Sequence, residues 1–194
     1  MPSSHVRHHV GGLLAPDVYP DARFVATRAG VEQIGSFGLA ESVLGLNPGA
    51  VGTITLGANA SVIVPFVLNR AFRIAKMGAV VNTKTAATNI DLGIYDAAFA
   101  LLCSTGSIDG GASNTIVWGN VTAVTLRPGL YYFAMASDGG NTTYNAASYG
   151  LASVPRATGS AQMASAFPLP STYTPAVYTG NVIPMILAST AAFA

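Results

Sequence analysis

From Gly52 onward the chain alternates apolar with small or polar residues at a period of two, and this alternation constrains its fold more than any other feature. In "NIDLGIYD", Ile90, Leu92 and Ile94 fall on one side of an extended strand, and Asp91, Gly93 and Tyr95 on the other. The stretch "TITLGANASVIVPFVLNRAFRIAKMGAVVNT" holds three β-rich runs, Thr53–Leu56, Ser61–Leu68 and Ala71–Val81, punctuated by Asn and Gly and then by Asn69–Arg70. Pro65 has no N–H to give to a ladder, so its strand lies at an edge or is bulged there. A turn at Asp96–Phe99 joins two further strands. A strand follows at Thr115–Trp118, then a strand or loop to Leu126. Pro128-Gly129 suggests a type II turn, and "LYYFAMAS" a strong strand over Leu130–Ser137. After the proline-rich "AFPLPSTYTP", the run "NVIPMILAST" closes the chain as a last strand. Seven to nine short strands with almost no helix predict an all-β fold. The expected form is an antiparallel β-sandwich, jelly-roll-like, with an extended N-terminal arm. Periodicity does not set the strand order.

Residues 1–50 read differently. "SSHVRHHVGG" is polar, "LLAPDVYPDARF" carries two prolines, and the stretch from Thr27 to Ala50 has five glycines. One short helix near Leu39–Leu44, ended by Gly45 and Pro48, is the most this segment supports. Residues 1–50 are therefore expected to form an attachment arm with little regular structure, and residues 51–194 the sandwich domain. No secretory signal or membrane-spanning run is legible. The sequons at Asn59, Asn120 and Asn141 then read as ordinary loop and strand residues.

The residues that could carry chemistry do not converge. Cys103, the single cysteine, sits in an apolar run and reads as a buried thiol without a histidine near it in sequence. His5, His8 and His9 lie in the arm, with no rigid element to hold a metal. Asp91 and Asp96 have the wrong spacing for an acid/base pair, and Asp96 opens a turn. Asp109 and Asp138 each precede Gly-Gly as turn residues, without the dense acidic array of a calcium loop. No nucleophile elbow, phosphate loop or dinucleotide fingerprint occurs. The expectation is no catalytic residue, no cofactor, no metal and no enzyme. Arg70, Arg73, Lys76 and Lys84 form the densest basic stretch, and at a net charge of +1 they argue for exposed strand positions, not a nucleic-acid site. Among the aromatics, Trp118, Tyr144, Tyr149, Tyr173 and Tyr178 could serve as sugar-stacking platforms, with core and interface packing as the competing role. Rings on both sides of "LYYFA", Tyr132 on one and Tyr131 and Phe133 on the other, suggest a central strand whose outer face is also covered.

Only 9% of the residues are charged, against about 25% in an average soluble domain. A surface so poor in charge points to burial against other copies of the chain.

"VIVPFVLNRAFRIAKMGAVVNT", "LGIYDAAFALLCSTGS" and "LRPGLYYFAMAS", in that order, resemble β-sandwich domains of tailed-bacteriophage virion proteins. The likeness spans about residues 55–140. It rests on Val64-Pro65-Phe66, Arg70, Gly93-Ile94-Tyr95-Asp96, Leu101-Leu102, Ser104, Gly106, Leu126, Pro128-Gly129, Tyr131-Tyr132 and Ala134. Such a resemblance implies a structural or adhesive role in the virion, as a capsid decoration, head-fibre or tail component. Together with the low charge it leads to the expectation of a homo-oligomer, most simply a trimer, bound to other virion proteins through residues 1–50. The alternative is a carbohydrate-binding module recognising host glycans.

Overall fold

A computed structural model describes residues 23–28, 31–35, 50–84, 86–140, 142–149, 153–157, 159–164 and 166–190. In chain order its strands are β1 (Arg23–Arg28), β2 (Val31–Gly35), β3 (Ala50–Thr55), β4 (Ala60–Leu68), β5 (Phe72–Lys84), β6 (Asn89–Asp96), β7 (Leu101–Ser104) and β8 (Ile108–Asp109). They continue with β9 (Thr115–Leu126), β10 (Gly129–Ser137), β11 (Thr142–Ser148), β12 (Ala161–Met163), β13 (Ala176–Val177), β14 (Val182–Pro184) and β15 (Ile186–Ser189). A single helical turn, Ser153–Ala157, separates β11 from β12.

Eight of these strands pair as one nested hairpin. The innermost pair is β6–β7, joined at Asp96–Phe99; outside it lie β5–β9, β4–β10 and β3–β11, all antiparallel. Except at the β6–β7 turn, successive strands of this hairpin change sheet, so it wraps into two layers, β3-β11-β5-β9 and β4-β10-β6-β7. This is the strand order of a jelly roll. β10 runs in unbroken register against β4 from Gly129↔Leu68 to Ser137↔Ala60, and against β6 from Tyr131↔Asp96 to Ser137↔Ile90.

The remaining strands decorate this frame. β12 pairs β4 only at Ser61–Ile63, so Pro65 lies beyond the doubly paired stretch, where a missing N–H costs no ladder bond. β11 pairs β5 only at Thr142–Tyr144, after which the two strands part. The closing run fills the fork: β14 pairs β11, the Met185 amide bonds the Asn145 carbonyl, and β15 pairs β5 at Lys76–Ala79. β2 then pairs β15, and β1 pairs β2. Part of the expected irregular arm is thus a hairpin that extends this chain's own sheet. The helix expected near Leu39–Leu44 lies outside the described residues, as do His5, His8 and His9.

Between the layers Phe66 stacks on Phe133, with centroids 4.1 Å apart, among Val64, Ile74, Met77, Leu92, Ile94 and Met135, all fully buried. A second cluster covers the opposite face of β10 and β6: Ile63, Tyr95, Tyr132 and Ala134 pack beneath Leu169 and Tyr173. Both faces of "LYYFA" are therefore buried, as its rings suggested. A glycine is required at position 93, where a Cβ would sit 2.7 Å from Leu169 Cδ1 and 2.9 Å from the Cys103 carbonyl oxygen. One local expectation changes, and one alternative left open is decided. Gly129 has φ 159°, extended, not the roughly +80° that a type II turn demands, and it begins β10 directly. The stretch after Trp118 is a continuous strand to Leu126, slipped where Val121–Ala123 lie opposite Ala75 alone.

Candidate functional site

Asp91, 1% exposed, lies on the covered face of β6. Its Oδ1 accepts from Ser104 Oγ at 2.5 Å and Thr105 Oγ1 at 3.3 Å, and its Oδ2 from the Leu169 amide at 3.0 Å. Nearby, the Tyr95 hydroxyl donates to the Pro170 carbonyl at 2.6 Å, and the Ser61 hydroxyl donates to Tyr173 Oη at 2.9 Å. These bonds tie the proline-rich cover segment to the sheet, and Asp91 is its carboxylate anchor. Asp91→Ala leaves the Leu169 amide and the Ser104 hydroxyl unsatisfied and should cost about 2 kcal/mol. Urea denaturation measures that loss, and hydrogen exchange should show faster exchange at the Leu169 amide. An unchanged midpoint with unchanged Leu169 protection would remove Asp91 from this role.

Asp96 does not join Asp91. Its Oδ1 accepts from the Ala98 and Ala100 amides at 2.8 and 2.9 Å, which fixes the hairpin turn. In that turn Phe99 takes φ 62°, a strained conformation for a bulky residue, and its ring packs on Tyr132 at 4.9 Å. Asp138 accepts from the Asn89 amide and side-chain nitrogen, each at 2.7 Å. Asp109 accepts from the Gly111 amide at 2.8 Å and pairs with Lys84, whose hydrogen bond holds the Asp109 carboxyl below its usual range. N–H donors already engage both turn carboxylates. Among the described residues no three His, Cys, Asp or Glu side chains gather as a metal set.

Cys103 is buried, and desolvation pushes its thiol up to about 12, which leaves little thiolate to act as a nucleophile. The basic residues are engaged separately. Arg73 donates to the Thr190 carbonyl at 3.0 Å, Lys84 pairs with Asp109, and Lys76 Nζ stands 4.8 Å from the Trp118 ring centre.

The aromatic candidates divide unevenly. Tyr144, Tyr149, Tyr173 and Tyr178 are all buried, so they are not the surface platforms that sugar stacking by these rings requires. Trp118 is half-buried and lies across Gly78, where a Cβ would come within 2.6 Å of the indole. Sequence alternation placed these tyrosines in strands and loops without revealing that both the sandwich interior and its outer cover are lined with rings.

A cleft opens instead at the flank between β3 and β12, with a volume of about 370 Å³. Thr53 and Thr55 lie on one wall, Gln162, Met163 and Thr179 on the other, and Val62 at the base. Gln162 Oε1 accepts from the Thr179 amide at 3.4 Å and hydroxyl at 3.3 Å, which links the two segments of the second wall. The lining comes from residues 53–62 and, about a hundred residues later in the chain, from 162–164 and 178–182, and no linear motif marks it.

At the other flank, β9 is an edge strand: among the described residues its only ladder partner is β5. None of its twelve residues is charged, and Ile116 is 47% exposed. No family model matches the chain, and no curated protein matches it.

Proposed function

We propose that this chain is a non-enzymatic structural protein of a bacteriophage virion. It works as a homo-oligomer, most simply a trimer, attached to other virion proteins through residues 1–50, as a capsid decoration, head-fibre or tail component. The reading draws on the resemblance of residues 55–140 to phage β-sandwich domains and on a surface with few charges. The observation that carries self-association is β9. Edge strands of free monomers are commonly guarded by lysine, proline or charge, and this twelve-residue strand has none of these. A second copy laid along it would extend the sheet and cover Ile116. The slip at Val121–Ala123 limits the pairing surface to the two straight halves of the strand.

Ile116→Lys tests this reading. A charge placed in the contact must be desolvated, so association should weaken roughly tenfold or more, equivalent to at least ~1.4 kcal/mol. Sedimentation of the variant and the parent across a dilution series measures the change. An equal association constant for the two would remove β9 from the interface.

A further inference from the structure

We propose that the cleft between β3 and β12 binds a short, neutral saccharide. The inference does not depend on self-association through β9, which lies at the opposite flank. About 370 Å³ lies at the small end of the range of roughly 300–1,000 Å³ for small-molecule sites.

The chemistry of the lining selects the ligand class. Among the described residues no Asp, Glu, Lys, Arg or His lines the cleft, so a charged ligand would lose hydration there and meet no counter-charge from them. The one ionisable group among the described lining residues, the Tyr178 phenol, is buried and donates to the Val182 carbonyl. The other side-chain polar groups of the lining are hydroxyls and an amide, contributed by Thr53, Thr55, Ser61, Thr179 and Gln162, with the Ser61 hydroxyl already donating to Tyr173. Because the Gln162 oxygen is taken by Thr179, its two amide N–H donors are the end left for a ligand hydroxyl. Met163 and Val182, both half-buried, add an apolar surface to the same cleft. A neutral ring with hydroxyls at its edge and a C–H patch on its face matches this combination. The apolar contact would come from methionine and valine and not from the aromatic platforms that the sequence suggested.

The test uses the full chain and a panel of cellobiose, maltose, lactose and chitobiose. Sialyllactose serves as a charged comparison and a neutral tripeptide, Ala-Thr-Ala, as a peptide comparison. Amide chemical shifts should move at Gln162, Met163, Thr179 and Gly180 with at least one neutral disaccharide, at a Kd of roughly 1 mM or tighter. Gln162→Ala and Thr179→Val should each weaken that binding about tenfold while leaving the melting temperature within ~2 °C. No shift with any neutral disaccharide up to about 10 mM overturns the proposal. So does tighter binding of sialyllactose or of the tripeptide, or a shift pattern centred away from these four residues. Loss of binding in neither variant overturns it as well.

Discussion

Phe133→Ala should lower the free energy of unfolding by about 4 kcal/mol. The ring is fully buried at the centre of the sandwich, stacked on Phe66 at an interplanar angle of 20°. Phe133 pairs directly with Val64 on one side and Ile94 on the other, and the ladders on both sides of β10 run without a slip. The backbone around the site therefore cannot collapse into the space left by the ring. The loss combines the transfer free energy of the ring with a cavity term, and for a large aromatic side chain the two sum to about 3–5 kcal/mol. Phe133→Leu, which keeps most of the volume, should cost less than half as much. Urea unfolding followed by circular dichroism measures both. A loss below about 1 kcal/mol for the alanine variant would mean that this ring is not at the packing centre.

Raising the pH above about 10 should destabilise the fold steeply. Burial pushes the phenols of Tyr144 and Tyr178 up to about 12. It raises those of Tyr95 and Tyr173 further, with each of these two rings 2% exposed or less. In the unfolded chain all four titrate near 10. Below that pH both states hold the protons, and the stabilisation is fully present. Between the unfolded and folded values the unfolded chain releases protons that the folded chain keeps, so stability falls as pH rises. Each tyrosine contributes up to ~1.4 kcal/mol per pH unit, and four together ~5 kcal/mol per unit. Phenolate absorbance from these rings should therefore appear together with loss of the circular dichroism signal. Ionisation near pH 10 with the strand signal intact would show that these tyrosines are not sealed in the core.

The parts of the fold legible in the sequence were those set by local alternation and local turn chemistry. Ile90, Leu92 and Ile94 face the core, Asp96 caps its turn through the Ala98 and Ala100 amides, and both faces of β10 are covered. What periodicity could not convey was pairing across long separations. The order β3-β11-β5-β9 against β4-β10-β6-β7 depends on which strands meet after the hairpin wraps, and period two is the same for every order. Glycines hid the β1–β2 hairpin, because its pairing partner is β15, more than 150 residues away. The polar role of Asp91 was equally remote: its partner amide is Leu169, in a proline-rich segment that reads as a surface loop. The cleft has the same origin, since Thr53, Gln162 and Thr179 become neighbours only when the flanks of the two sheets are in place.

The central claim, a structural protein that works by assembling with itself, is tested most directly by the mass of the full chain in solution. Multi-angle light scattering on a size-exclusion column at micromolar concentration should give three times the 19.7 kDa of a single chain. A sharp peak at 19.7 kDa, unchanged as the loading concentration rises, would contradict it.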